Sequence, residues 1–188
     1  PKHWKAVKHV FCYLKGTKDL KLTYHNNGSQ MSLELFQAYS DIDHAGCLDT
    51  RRSTSGFVIK MGTGAVSWSA KKQSTVADSS TEAEYISASS AGRDIIWMRT
   101  LMKEIGHDVS TPSPLMVDNQ SALKVLRNPE LHGRMKHIDI KMHWIRDAIK
   151  RGDITIHFLP TNDMIADIFT KPLPKPAVER HRLALGLE

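Results

Sequence analysis

The chain has 188 residues, of which 40% are hydrophobic and 24% are charged, and its formal net charge at pH 7 is +6. This length allows one substantial core with a small appendage. No apolar run approaches the roughly 20 residues that cross a bilayer, which argues against a membrane partner. The basic charge favours a polyanionic partner. Because the chain begins with Pro1 rather than methionine, we expect it to be a piece of a larger protein.

The first half of the chain shows one helical pattern followed by strand patterns. The predicted elements are a helix over 3–14 ended by Gly16, a short strand over 20–24, a polar linker over 25–30, a strand over 32–42, and two strands over 56–61 and 65–69 joined by the turn 62–64. Three consecutive strands with short connections predict an antiparallel meander. We expect the main domain to begin near Met31.

A long helix follows the meander. Ser79 and Glu82 have the spacing of a capping box, and the helical pattern continues to Ile105. Glu84 begins a stripe that we expect to face the sheet. The stripe continues through Ala88, Ala91, Ile95, Met98, Met102 and Ile105. Glu82 lies about 200° around the helix from Glu84, so the sequence predicts one capping and one buried glutamate.

The second half alternates short strands and helices. The predicted elements are a strand over 115–118, a helix over 119–126 with Asn119 as its N-cap, a helix over 138–149, a strand over 154–159, and a last helix capped by Thr161 that runs through Phe169. Pro172, Pro174 and Pro176 predict no regular structure beyond it. Strands joined first directly and then through helices indicate an α/β fold with a five-stranded mixed sheet flanked by helices.

Four acidic residues lie at the ends of these elements. Asp41 ends the first long strand, Glu84 lies near the start of the long helix, Asp118 ends the next strand, and Asp167 lies in the last helix. A carboxylate beside apolar core is costly unless it binds something, and carboxylates from separate elements can converge on magnesium. We therefore predict that these four hold two metal ions roughly 4 Å apart, which is the arrangement that promotes phosphodiester hydrolysis.

Two neighbouring acids have competing interpretations. Asp43 shares a side of the strand with Asp41 and is either an extra ligand or, as we favour, a hydrogen-bonding residue of the loop. Asp163 and Asp167 lie one turn apart on one face. Asp163 is nearer the helix start, where a carboxylate stabilises the helix dipole, so we assign metal binding to Asp167.

Motifs around the four acids resemble those of the ribonuclease H family. These motifs are Tyr39-Ser40-Asp41, Thr81-Glu82-Ala83-Glu84-Tyr85, Val117-Asp118-Asn119-Gln120-Ser121-Ala122 and Ala166-Asp167-Ile168. Three further motifs are Arg52-Ser53-Thr54-Ser55-Gly56, Lys136-His137-Ile138-Asp139 and the longer run Ala166-Asp167-Ile168-Phe169-Thr170-Lys171-Pro172-Leu173. Together they are most similar to the ribonuclease H domain of copia-type LTR retrotransposon polyproteins, and the resemblance covers nearly the whole chain.

The resemblance implies a ribonuclease H fold and a role in retrotransposon reverse transcription. The enzyme would cut the RNA strand of an RNA/DNA hybrid and leave 5′-phosphate and 3′-hydroxyl ends. Asp41, Glu84, Asp118 and Asp167 would bind two Mg²⁺ ions, for which Mn²⁺ can substitute. The implied partners are the hybrid and the polymerase region of the same polyprotein. The implied location is intracellular, in a cytoplasmic virus-like particle or, alternatively, the nucleus; the unpaired Cys12 and Cys47 also favour a reducing setting.

The resemblance also divides the chain. It implies the tail of a preceding reverse transcriptase region and a linker over 1–30, a ribonuclease H domain over 31–172, and a C-terminal tail over 173–188. Many relatives carry a histidine in a loop before the fourth acid. Here His157 lies inside a predicted strand, so that role is not transferred to it.

Seven polar or basic residues are candidate contacts with nucleic acid. They are Lys71, Lys72, Asn119, Gln120, Arg134, Lys136 and His137. Trp68 either stacks on a base beside the lysines or packs in the sheet core.

Two other functions share these features. The first is a catalytically inactive module that keeps the fold for hybrid binding or as a structural part of a decayed or polymerase-dependent element. The second is a transposase- or integrase-like nuclease, which would carry a final glutamate on the late helix where this chain has Asp167.

Overall fold

The computed structural model describes residues 2–25, 35–127 and 139–188. Its helices are α1 (Lys2–Thr17), α2 (Ser80–Glu104), α3 (Gln120–Arg127), α4 (Asp139–Lys150) and α5 (Lys175–Ala184), and its strands are β1 (Gln37–Asp43), β2 (Thr54–Met61), β3 (Gly64–Lys72), β4 (Ser113–Val117) and β5 (Ile154–Phe158). Two short 3-10 helices, Thr161–Asp163 and Ile165–Phe169, lie between β5 and α5. Among the described helices, none is long and apolar enough to cross a membrane.

The five strands form one mixed sheet in the order β3-β2-β1-β4-β5. Strands β1, β2 and β3 pair antiparallel, whereas β4 pairs parallel with both β1 and β5. This confirms the predicted α/β fold, with three antiparallel strands followed by helix-linked parallel strands. Because the carboxyl ends of parallel strands meet at one edge of a sheet, Asp41 near the end of β1 and Asp118 directly after β4 reach the same edge.

Helix α2 packs against one face of the sheet, with α3 and α4 beside it. The predicted stripe is confirmed at Ala88, Ala91 and Ile95, which are fully buried. The stripe prediction is wrong at Ile105, which is 62% exposed because it lies beyond the last turn of α2. The buried stripe positions the start of α2, and therefore Glu84, over the sheet edge.

Polar side chains fix the starts of two helices. Ser79 Oγ accepts a hydrogen bond from the N–H of Glu82 at 3.2 Å, and Glu82 Oε2 accepts one from the N–H of Asp78 at 2.9 Å. Asn119 Oδ1 accepts hydrogen bonds at 2.9 and 3.0 Å from two N–H groups in the first turn of α3. These contacts confirm the predicted capping roles. Glu82 is nevertheless buried like Glu84, so the two glutamates differ in their contacts and not in burial.

The C-terminal part of the chain differs from the predictions. The expected helix from Thr161 to Phe169 is instead the two 3-10 helices, and the Thr161 hydroxyl donates to Asp118 Oδ2 at 2.9 Å rather than capping a helix. The prediction of no regular structure beyond Pro172 is wrong, because α5 forms there. Pro176 is its second residue, where the missing N–H breaks no intrahelical hydrogen bond.

The segment after α1 and the C-terminal residues meet beside β3. Leu22 and Leu187 form an isolated antiparallel bridge, and the N–H of Ala65 on β3 donates to the carbonyl of Leu185 at 3.0 Å. Leu185 is buried against Val58 and Ala65 in a second, smaller core. The residues after α5 therefore pack on the face of the sheet opposite α2.

Several predicted boundaries shift. Gly16 lies inside α1, β4 begins at Ser113, and the predicted strand over 20–24 contributes a single bridge. The predicted domain start at Met31, the beginning of the strand over 32–42 and most of the linker over 25–30 lie outside the described residues. The division into 1–30, 31–172 and 173–188 stays a prediction.

Candidate functional site

Three carboxylates meet at the sheet edge where β1 and β4 end. Asp41 on β1, Glu84 on α2 and Asp118 after β4 each place one oxygen within 4.8 Å of the other two. Asp41 and Glu84 are buried, and Asp118 is half-buried. Carboxylate oxygens contributed by separate elements suit a divalent cation. The structure therefore brings three of the four predicted acids together as one candidate metal site.

A hydroxyl on α2 joins the helix to this edge. Ser87 Oγ lies 3.0 Å from the carbonyl oxygen of Asp41 and 3.3 Å from that of Gly56, and these two residues are cross-strand partners. Ser87 follows Glu84 by three residues and so shares its face of the helix. The contact fixes the position of α2, and therefore of Glu84, relative to Asp41 on β1. Sequence reasoning missed Ser87, although this spacing is a signal for it.

Asp167 reaches the site through a lysine. Lys171 Nζ donates to Asp41 Oδ1 at 2.9 Å and to Asp167 Oδ1 at 3.0 Å. Asp167 itself is buried in the second 3-10 helix, one turn before Lys171. Whereas Glu84 and Asp118 approach Asp41 directly, Asp167 is separated from Asp41 by an ammonium group.

Thr170 takes the second oxygen of Asp41. Its hydroxyl donates to Asp41 Oδ2, so both oxygens of this carboxylate accept from the segment after Asp167. Gly56 permits the approach, because a Cβ atom at this position would lie 2.6 Å from Thr170 Cγ2 and 2.9 Å from Phe169 Cβ. The motif Arg52-Ser53-Thr54-Ser55-Gly56 therefore ends in a glycine because a side chain at this position would collide with Phe169 and Thr170. Sequence reasoning assigned no role to Thr170 or Lys171.

Burial shifts the ionisation of the site. It raises the pKa of Glu84 to about 9, and the charges of Asp118 and Asp41 add to this rise. Burial also raises the pKa of Asp41 to about 7, opposed by the hydrogen bond from Thr170 and by the charge of Lys171. For Lys171 burial acts against the charged form, but the two adjacent carboxylates outweigh it and raise its pKa above the ordinary value. Without a bound cation, Lys171 is charged and Glu84 is protonated near neutral pH.

Glu84 provides a test of whether a cation fits. Its Oε2 atom is buried, and within the described part of the chain no donor reaches it. A buried acceptor without a donor is costly, and a divalent ion shared with Asp41 and Asp118 would satisfy it. A donor set of carboxylate oxygens suits Mg²⁺ or Mn²⁺. The residues present therefore fit a divalent metal.

The predicted nucleic-acid contacts fall into three groups. Lys71 and Lys72 are exposed at the end of β3, and Lys71 pairs with Ser55, the neighbour of Gly56. Asn119 is used as a helix cap, and Gln120 beside it is exposed. The remaining candidates, Arg134, Lys136 and His137, lie outside the described residues.

Trp68 on β3 has a large exposed surface. Its side chain is 56% exposed, so the interpretation of Trp68 as a residue of the sheet core is wrong. An exposed indole ring on the strand that carries the two lysines is able to stack on a base.

Two secondary acids and one histidine lie near the site. The Asp43 carboxylate lies against Gly46 in the loop after β1, where a Cβ atom on the glycine would be 1.7 Å from Asp43 Oδ2. Asp163 is exposed in the first 3-10 helix.

His181 on α5 is buried. Burial and the charge of Arg180 lower the pKa of His181, whereas the charges of Asp167 and Asp163 oppose this shift. Sequence reasoning missed His181 because it predicted no structure after the prolines.

No family model matches the chain. The chain is 38% identical over 185 residues to the retrovirus-related Pol polyprotein from transposon RE2 of Arabidopsis thaliana, and 36% identical over 185 residues to that from transposon TNT 1-94 of Nicotiana tabacum. Each alignment covers 98% of this chain but 12% and 14%, respectively, of the relative. The chain thus corresponds to one small segment of these curated relatives.

The fold is similar to that of a solved structure. LC11-RNase H1, isolated from compost by a metagenomic approach, matches with a TM-score of 0.51 at 14% sequence identity, over 79% of this chain and 98% of that chain. At this identity the likeness shows the fold alone. The fold is ribonuclease H-like, as the sequence motifs predict.

Proposed function

Because the chain is a homologue of one segment of the retrovirus-related Pol polyproteins of plant transposons, we propose that it is their ribonuclease H unit, a metal-dependent endonuclease that cuts the RNA strand of RNA/DNA hybrids during reverse transcription. The observation that carries this proposal is the convergence of Asp41, Glu84 and Asp118 within 4.8 Å at one sheet edge. The buried Glu84 oxygen, which has no donor among the described residues, adds a specific need for a cation.

The chemistry follows from the carboxylates. Hydrolysis of a phosphodiester needs an activated water and stabilisation of charge on the leaving oxygen, and bound divalent cations supply both. Asp41, Glu84 and Asp118 would hold one ion, and Asp41 with Asp167 would hold a second. We expect Mg²⁺, with Mn²⁺ as a substitute, and products with 5′-phosphate and 3′-hydroxyl ends.

Binding of the hybrid is proposed for the surface next to the acids. Lys71 and Lys72 lie on β3 beside the β2 residues that pair with the end of β1, so their charges are close enough to meet phosphates that flank the cleaved bond. The exposed Trp68 on the same strand offers a stacking surface. Contacts with 2′-hydroxyls would distinguish RNA from DNA.

The preceding polymerase region of the polyprotein is the proposed protein partner. Helix α1 exposes the large apolar side chains Trp4 and Phe11, which would be covered if the preceding region packed there. A cytoplasmic virus-like particle is the proposed location, since reverse transcription would take place there.

The test is cleavage of a hybrid labelled on its RNA strand, with Mg²⁺ and then Mn²⁺. Asp118→Asn should lower the rate about a hundredfold or more, because loss of a metal ligand removes several kcal/mol of charge stabilisation. Asp147→Asn, a change at an exposed acid of α4, should leave the rate unchanged. Equal cleavage by wild type and Asp118→Asn would refute the proposal, and hybrid binding without cleavage by the wild type would favour the inactive module.

A further inference from the structure

Lys171 places a positive charge where two of the acids would otherwise face each other. Its Nζ lies 2.9 Å from Asp41 Oδ1 and 3.0 Å from Asp167 Oδ1. The Asp41 side chain is 1% exposed and that of Asp167 is 8% exposed. Two buried carboxylates held this close repel each other strongly unless a cation lies between them. In this structure the cation is the lysine.

We propose that Lys171 is an internal counter-cation that occupies the position between Asp41 and Asp167, and that a divalent ion binding between these two carboxylates must displace it. This inference rests on the proposed function. It divides the site into two unequal parts. The part formed by Asp41, Glu84 and Asp118 shares only Asp41 with the contacts of Lys171, whereas an ion between Asp41 and Asp167 would take the position of the ammonium group itself.

The contacts of Thr170 and Lys171 with Asp41 support this division of the site. The Thr170 hydroxyl donates to Asp41 Oδ2 while Lys171 donates to Asp41 Oδ1, so two consecutive residues hold both oxygens of the shared ligand. Mg²⁺ takes oxygen ligands at roughly 2.0–2.1 Å, much closer than the 2.9 and 3.0 Å of the lysine contacts. An ion at this position therefore cannot coexist with the ammonium group.

Lys171 is able to leave without unfolding the site. Its side chain is 30% exposed, so one route for the ammonium leads to solvent, where it would be free to contact the phosphates of a bound hybrid. A long flexible side chain with a compact charge is suited to such an exchange. Filling of the second part of the site would thus be coupled to movement of one side chain.

The first experiment counts Mn²⁺ ions on the full chain. Calorimetry gives the stoichiometry, and electron paramagnetic resonance distinguishes a single ion from a magnetically coupled pair roughly 4 Å apart. We expect wild type to bind one ion tightly and the second weakly. Lys171→Met should tighten the second site about tenfold or more, within the roughly 5–150-fold typical of coupled binding events. The matched control is Lys175→Met, because Lys175 is 87% exposed and its ion pair with Glu179 is long at 3.7 Å.

The second experiment uses wild type and so does not depend on a variant that folds. Acetylation of lysines is followed by mass spectrometry as Mn²⁺ is added, with Lys175 as the internal reference. Labelling of Lys171 should rise several-fold as the second ion binds. Two coupled ions on wild type with unchanged labelling of Lys171, or no tightening in Lys171→Met, would overturn the inference and leave the nuclease proposal intact. A coupled pair in Lys171→Met without hybrid cleavage by wild type would support the inference while refuting the nuclease.

Discussion

Replacing Glu84 by glutamine keeps the size of the side chain and removes its negative charge. The unfolded chain releases the Glu84 proton near the ordinary pKa of 4.5, whereas the folded chain keeps it until a pKa of about 9. The unfolded state therefore binds fewer protons between these values, and the stability of the metal-free wild type falls as pH rises through this window. Glu84→Gln has no such proton to hold, so it should be the more stable protein at neutral pH when metal is removed.

The magnitude follows from the interval between the two pKa values. From pH 4.5 to pH 7, an interval of about 2.5 pH units, the wild type loses stability because only its folded state keeps the Glu84 proton. The loss corresponds to roughly 3 kcal/mol of unfolding free energy. For a chain of this size each kcal/mol shifts the melting temperature by about 2–4 °C, so the expected gain for Glu84→Gln is roughly 6–12 °C. Well below pH 4.5 both states of the wild type are protonated, and the gain should vanish.

The assay is thermal unfolding in EDTA at pH 5, 7 and 8, repeated with excess Mn²⁺. Glu104→Gln is the matched control, because Glu104 is exposed at the end of the same helix. With Mn²⁺ at pH 7 the order should reverse, since an ion that binds the folded state at 1,000 times its dissociation constant adds about 4.1 kcal/mol to the wild type. That exceeds the gain of roughly 3 kcal/mol expected for Glu84→Gln in EDTA, and Glu84→Gln lacks one ligand. If Glu84→Gln in EDTA were no more stable than wild type at pH 8, or gained as much at pH 5, the electrostatic account of Glu84 would be wrong.

Two further changes test how the site is held in the fold. Asn119→Ala removes the side-chain oxygen that accepts two N–H groups at the start of α3 and should cost about 1 kcal/mol in urea unfolding; a cost near zero would show that the cap does not position the Asp118 loop. Leu185→Ala opens the small core against Val58 and should cost roughly 2–5 kcal/mol, whereas Leu183→Ala, at an exposed position of α5, should cost little. Equal costs would mean that the C-terminal residues are not part of the folded unit.

The sequence was most informative where a local pattern and a global requirement coincide. Glu84 lies at a fixed step from Ala88 and Ala91 along one helix, so the helical period alone placed it on the buried face. Asp41 and Asp118 follow apolar strand patterns, and parallel pairing brings strand ends together without further information. For these three acids the prediction needed only the type and order of the elements.

The sequence was least informative where a contact depends on close approach between distant segments. The contacts of Thr170 and Lys171 with Asp41 join residues about 130 positions apart, and no periodic pattern encodes them. They depend on Gly56, whose missing side chain leaves room for Phe169 and Thr170. The prolines after Lys171 misled the prediction for a different, local reason: proline disrupts a helix interior but is tolerated in the first turn, which is where Pro176 lies.

Two features of the chain relieve the repulsion among the carboxylates of the site before any metal is bound. Burial keeps a proton on Glu84, and Lys171 supplies a positive charge between Asp41 and Asp167. Each acts on a different part of the site, so the two parts should respond to different perturbations.

Raising the pH removes the Glu84 proton and favours an ion at the three-carboxylate part, but it leaves Lys171 charged because its pKa is raised. Occupancy of the part between Asp41 and Asp167 therefore depends on what draws the lysine away, and the phosphates of a bound hybrid are a natural candidate. The charge that neutralises Asp41 and Asp167 in the free protein would then make occupancy of the second part of the site dependent on substrate.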